Sequence, residues 1–188
     1  MNTALKQRID LMRAKIEGRA PVVEVHASTQ LFVSPEPVSA RLVSLAGVTN
    51  DDVILEPSAG TGAILRAILA TAPDAQCDAV ELNAVLWQHL RKAFETVAVT
   101  GCDFLHYMPE KRYSKIIMNP PFRNGLDIKH IQHALGLLKP GGVLTAVCLG
   151  GPRQEKAFRD SADVWEPLPR GTFAYTDVST VIVRIVAD

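Results

Sequence analysis

The chain has 188 residues, 47% of them hydrophobic, which suits one folded domain with a sizeable core and argues against disorder. It contains no apolar run of about 18 residues and no apolar signal core near its start, so neither a membrane span nor secretion is expected. The formal net charge is zero, and Cys77, Cys102 and Cys148 are scattered without CxxC spacing, so a zinc site or disulfide framework is not suggested and a reducing cytoplasm fits.

Leu5, Ile9, Met12 and Ile16 recur at helical spacing, with Gly18 as the stop. This helix stands outside the pattern that follows and could pack on the core, cover a site or pair with another chain. Residues 1–30 are therefore set apart as a helix and extension, and 31–188 as the main domain. Residues 36–47 read as a helix ended by Gly47. An alternation then begins: strand 52–56, helix 62–71, strand 76–82 and helix 83–95 capped by Asn83. Strands at 97–101 and 114–119, a helix near 126–138 and a strand at 141–149 follow. Strands alternating with helices imply right-handed crossovers and a mostly parallel sheet covered on both faces. Residues 164–175 and 179–188 carry two extended segments with no helix between them, expected as an antiparallel pair at one sheet edge.

Two stretches carry chemistry. In VILEPSAGTGAIL, Gly60 and Gly62 allow a tight turn and close backbone approach to a ligand after strand one. The third glycine of a GxGxxG is absent, Leu65 standing in its place, and no GK[ST] follows, which disfavours a phosphate loop. Glu81 ends strand two and can accept hydrogen bonds from two ribose hydroxyls, or it can simply open the next helix. Asp103 could receive an adenine amine, with Phe104 against the ring, or serve as a turn residue. In IIMNPPFRNG, Asn119 sits where strand four leaves the sheet. Pro120 and Pro121 lack backbone donors, so pairing stops there. Phe122 is expected on an exposed loop, the alternative being a strand-ending turn with a core phenylalanine.

The ordered set FVSP, LEPSAGTG, VEL, CDF and NPPF resembles class I S-adenosylmethionine-dependent methyltransferases, over roughly residues 31–150. More narrowly, it is similar to the amino-methylating group with the gamma motif order, which includes N6-adenine DNA methyltransferases. The terminal GTFAYTDVSTVIVRIV resembles the closing hairpin of that fold. The resemblance implies a single Rossmann-like α/β domain. Its seven-stranded, mostly parallel sheet would have a C-terminal antiparallel hairpin and helices on both faces.

At the matching positions the resemblance implies roles. Ser34 and Pro35 help bind the methionine end of the cofactor, and Glu56, Ser58, Ala59, Gly60 and Gly62 line it. Glu81 holds the ribose, Leu82 lies beside the adenine, and Asp103 and Phe104 contact the adenine. Asn119, Pro120, Pro121 and Phe122 form the transfer site. The implied reaction is methyl transfer to the N6 amine of adenine in DNA. RNA adenine, a protein glutamine, or a non-catalytic subunit that keeps the fold are the alternatives. The DNA enzymes usually carry a large target-recognition region after the core, and here about 40 residues follow strand five, so a partner subunit or homodimer could supply target reading.

Charge is unevenly spread. Residues 24–110 carry a net −7 and residues 111–170 a net +5. The basic segment holds NPPF, and Arg123, Lys129, Arg153, Lys156 and Arg159 follow strands four and five. These are either phosphate contacts, favouring a nucleic-acid partner over a protein, or a solvated loop; the resemblance puts DNA ahead of RNA. His130 and His133, three apart on a helix, have a spacing seen in metal sites. No carboxylate or cysteine cluster joins them, so a surface or half-buried helix face is expected.

Overall fold

The structure is a computed structural model, and it describes residues 33–173 and 178–188. The helix expected within residues 1–30 and the first residue of FVSP lie outside the described residues. The elements, in chain order, are α1 (Glu36–Ala46), β1 (Val53–Pro57), α2 (Ala63–Thr71), β2 (Gln76–Val80) and α3 (Ala84–Ala93). They continue with β3 (Ala98–Thr100), β4 (Tyr113–Met118), α4 (Leu126–Leu135), β5 (Leu138–Leu149), α5 (Pro152–Phe158), β6 (Ala162–Pro167) and β7 (Thr180–Val186). Short 3₁₀ turns span Phe104–His106 and Arg123–Gly125.

The seven strands form one sheet in the order β3-β2-β1-β4-β5-β7-β6. β1 to β5 are mutually parallel, and β7 runs antiparallel to both β5 and β6. The closing hairpin therefore lies at one edge, as expected, with β7 inserted between β5 and the edge strand β6. The strand order reverses between β1 and β4, so the crevice for a ligand opens at the carboxyl ends of those strands.

Strand periodicity explains the two cores. Successive side chains point to opposite faces, and here both faces are dry. Ile54, Ile117 and Val147 belong to a cluster with Leu42 and Val43 of α1, Ile64, Leu65 and Ile68 of α2, and Leu90 of α3. Leu55, Ile116, Met118, Leu144 and Ala146 face the other way, against Phe104, Ile131 and Ala134 of α4, and Phe158 of α5. Each fully buried aliphatic of this kind contributes about 1.5–3 kcal/mol relative to exposure.

Helix ends follow local chemistry. Gly47 closes α1 in the left-handed region at φ 63°. The Asn83 side chain opens α3, accepting hydrogen bonds from the N–H groups of Val85 (2.9 Å) and Leu86 (3.2 Å).

Two expectations need correction. β5 begins at Leu138 rather than residue 141, because Lys139–Gly142 forms an irregularity inside the strand and not a break before it. Tyr113 pairs with Leu138, the register then shifts, and Lys115 pairs with Val143. The segment after β5 is not a loop. It forms α5, seven residues with proline in the first turn, where a missing N–H costs nothing. Only Gln154 and Phe158 of α5 are buried, too few to give a readable helical stripe.

Candidate functional site

The site assembles at the carboxyl ends of β1, β2 and β4. β1 ends at Pro57, and the next residue, Ser58, takes a left-handed backbone at φ 67°. For a residue with a Cβ this costs about 1–2 kcal/mol, so neighbours must hold it. The loop is pinned to β2 by Ala59 N–H donating to the Val80 carbonyl at 3.0 Å. Gly60 (φ 56°) and Gly62 (φ 77°) complete the turn into α2. At Gly62 the close neighbour is Phe94: a Cβ there would lie 2.4 Å from its ring. Glycine at 62 is thus demanded by packing against the end of α3, in addition to its φ.

Glu81, just beyond β2, is 8% exposed and organises the loop from the side. Its Oε2 accepts from Gly60 N–H at 2.7 Å and its Oε1 from Asn83 N–H at 2.7 Å. Each carboxylate oxygen has two acceptor directions, so both can still receive a hydroxyl hydrogen. The carboxylate braces the glycine turn and the start of α3, and it keeps acceptor directions on both oxygens. Leu82 beside it is 71% exposed, an apolar side chain presented to solvent.

Glu56 is the other acid of the loop and is 2% exposed. Burial pushes its carboxyl well above the usual range; the Leu65 backbone N–H and nearby Arg66 oppose this, and Glu81 adds to it. Its Oε2 has no hydrogen-bond partner among the described residues.

Asp103 follows β3 and is half-exposed at the head of a 3₁₀ turn, its Oδ1 accepting from Leu105 N–H at 2.9 Å. Phe104 turns inward, 3% exposed, with its ring 5.4 Å from that of His130 and 4.8 Å from that of His133. Its side chain is committed to the core.

Asn119 leaves β4 beside Ser34, and its Nδ2 donates to Ser34 Oγ at 3.0 Å. Two segments 85 residues apart are thus joined. This bond turns the amide so that Oδ1 is its acceptor atom on the other side. Pro120 is buried and Pro121 half-buried. Phe122 is not on an exposed loop: it is 6% exposed, and its ring meets Phe173 edge-on, with centroids 6.2 Å apart. The 3₁₀ turn at Arg123–Gly125 folds the ring back onto the core.

Arg153, Lys156 and Arg159 are exposed at every third position along α5 and its cap, with Arg159 5.9 Å over the Trp165 ring. Arg123 and Lys129 are exposed as well. Two residues separate β5 from α5, which follows the carboxyl end of that strand.

Three further residues were not readable as part of this region. Phe173 lies between the two strands of the closing hairpin, with no spacing signal. His130 is buried at 6% exposure, deeper than the surface or half-buried helix face expected, and its Nδ1 lies 3.4 Å from Ser58 Oγ. Asp127 is fully buried; it accepts from Ile128 N–H (3.0 Å), Leu149 N–H (3.1 Å) and Gln154 Nε2 (2.8 Å), tying α4 to β5 and α5.

Comparison with known proteins agrees with this geometry. Residues 35–163 match the family described as the methyltransferase small domain. An rRNA adenine N-6-methyltransferase from Bacteroides fragilis is 34% identical over 107 residues, covering 55% of this chain and 40% of that protein. The type II methyltransferase M.AccI from Acinetobacter calcoaceticus is 26% identical over 95 residues, covering 48% of this chain and 18% of that protein. The chain thus spans less than half the length of these curated relatives. Among solved structures, the 23S rRNA methyltransferase ErmE superposes with a TM-score of 0.66 at 19% identity, covering 84% of this chain and 70% of that one. A dimethyladenosine transferase from Plasmodium falciparum gives 0.66 at 15% identity, covering 84% and 64%. At such identities the likeness is one of fold. With more than half its length inside the family match, and with this sheet order and loop, the chain belongs to the methyltransferase small-domain family, class I methyltransferases whose cofactor is S-adenosylmethionine.

Proposed function

We propose that the protein transfers a methyl group to the N6 amine of adenine in nucleic acid, with DNA as the first substrate and RNA as the second. The observation that carries this reading is the Asn119–Ser34 hydrogen bond, which brings the amide of NPPF against the segment expected at the methionine end of the cofactor. The RNA reading is favoured by the 34% identical relative named an rRNA adenine N-6-methyltransferase.

The residues present fit the cofactor. Glu81 offers two carboxylate oxygens held by backbone N–H groups, and the left-handed turn at Ser58–Gly62 exposes main chain beside it. S-adenosylmethionine, when bound, supplies an electrophilic methyl group on a sulfonium. The protein's part is at the amine. The lone pair of an adenine amine is delocalised into the ring and is a poor nucleophile. Asn119 Oδ1 and the Pro120 carbonyl each accept one amine hydrogen, which pyramidalises the nitrogen and aims its lone pair. The diproline fixes the direction of that carbonyl without a flexible loop. Asn119 is neutral and hydrogen-bonded to Ser34, so it receives the growing positive charge without reorganising. The product nitrogen then loses one proton. Phe122 is buried edge-on against Phe173, so a base would stack on it only if the ring turned outward. A base drawn from a duplex must first be flipped out, at a cost of a few kcal/mol.

The test is single-turnover methylation of DNA and RNA oligonucleotides beside a cofactor titration. Asn119→Ala should bind the cofactor nearly as well as the native chain and lose methyl transfer by about two orders of magnitude or more. Transfer at the native rate would reduce NPPF to a turn.

A further inference from the structure

His130 belongs to none of the motifs, yet it lies where two of them meet. It projects from α4, the helix that follows NPPF. Its Nδ1 is 3.4 Å from Ser58 Oγ, on the loop after β1. Its ring is tilted 55° against Phe104, on the turn after β3, at a centroid distance of 5.4 Å. One buried imidazole therefore touches both the glycine turn, expected to line the cofactor, and the Asp103–Phe104 segment, expected at its adenine.

Ser58 makes this contact consequential. Its left-handed φ of 67° is a conformation the residue would leave without support. The hydroxyl contact with His130 opposes that departure from the helix side, while Ala59 N–H to Val80 opposes it from the strand side. The imidazole is itself held in place. Phe104 contacts His133 edge-on as well, and His133 Nε2 is 3.0 Å from the Tyr107 carbonyl, so Phe104 and both imidazoles form one packed aromatic cluster. Burial, the dominant influence, lowers the His130 pKa below its ordinary value. The neutral ring has one nitrogen donor and one acceptor, and Ser58 can satisfy either role at Nδ1.

We propose that His130 is a positioning residue for the cofactor, bracing Ser58 in its left-handed turn and locking the Phe104 segment against the same ring. This rests on the cofactor site described above. His130 touches no reacting atom; it acts by preorganising two binding segments that are distant in sequence.

The experiment is calorimetric titration of the full chain with S-adenosylmethionine. His130→Phe keeps a planar ring against Phe104 and removes the Nδ1 contact. Its affinity should fall about three- to tenfold, the worth of one hydrogen bond that organises a loop. His130→Asn should restore much of the loss, because its side chain can again pair with Ser58. Ser58→Ala, which keeps the Cβ and removes the hydroxyl, should reproduce the His130→Phe loss, and it carries the test if His130→Phe fails to fold. Ser58→Gly adopts the left-handed turn unaided, so adding His130→Phe to it should cost less than about twofold. The inference is overturned if the native chain binds and His130→Phe, or Ser58→Ala, binds equally well. It is overturned too if the His130→Phe loss persists in full in the Ser58→Gly background. A native chain that binds no cofactor would overturn the site itself, and this inference with it.

Discussion

Replacing Gly62 with alanine tests what the second glycine of the loop is for. The sequence suggests close approach to a ligand; the structure adds a buried phenylalanine. A Cβ at 62 would sit 2.4 Å from Phe94 Cε2, 2.7 Å from Cζ and 3.0 Å from Leu90 Cδ2, at a backbone φ of 77°. The left-handed backbone costs an alanine about 1 kcal/mol or somewhat more. Forcing a methyl into packed side chains costs about 1–3 kcal/mol. Phe94 cannot swing away cheaply, because it is 8% exposed and packed in the core cluster with Leu90 and Leu65. Gly62→Ala should therefore lose about 2–4 kcal/mol, a large fraction of a typical domain's stability. Urea denaturation without ligand gives the value directly, read from the midpoint at constant slope. Phe94→Leu removes both ring atoms within 3 Å, so the double mutant should be more stable than the two single losses predict, by at least about 1 kcal/mol. A loss under about 1 kcal/mol in Gly62→Ala, or strict additivity with Phe94→Leu, would refute the packing argument.

Glu56→Gln probes the buried acid. The folded pKa of Glu56 lies above its unfolded value, so its contribution is complete below the unfolded pKa near 4.5 and is lost as pH rises through the folded one. Glutamine does not titrate, so the variant's stability relative to the native chain should improve from pH 4 toward neutrality; a constant difference would mean the carboxyl is not held protonated. Asp127→Ala strips the acceptor from Leu149 N–H and Gln154 Nε2, and should cost about 2–4 kcal/mol in thermal or urea unfolding, with Asp127→Asn recovering part of it. Neutralising Arg153, Lys156 and Arg159 together should flatten the salt dependence of oligonucleotide binding by as many as about three units of slope, measured by fluorescence anisotropy; an unchanged slope would return these residues to ordinary solvated surface.

Much of the architecture is written in local pattern. Short, largely apolar runs at 53–57, 76–80 and 113–118 mark strands buried on both faces, and each crossover between parallel strands takes the same hand. Asn83 and Gly47 state where helices begin and end by their own chemistry. The LEPSAGTG and NPPF stretches announce a site because they combine turns, prolines and polar groups at strand ends, where the backbone leaves the sheet. Tertiary structure decided everything that depends on residues far apart in the chain. That Asn119 meets Ser34, that Phe122 turns inward onto Phe173, and that Gly62 must clear Phe94 are facts of packing between elements, and no local period encodes them. α5 escaped notice because a seven-residue helix with two buried side chains has no face long enough to show a period. His130 escaped for the opposite reason. A histidine on a helix has no preferred side in sequence, and only the return of the glycine loop across β1 and of Phe104 across β3 buries it between them.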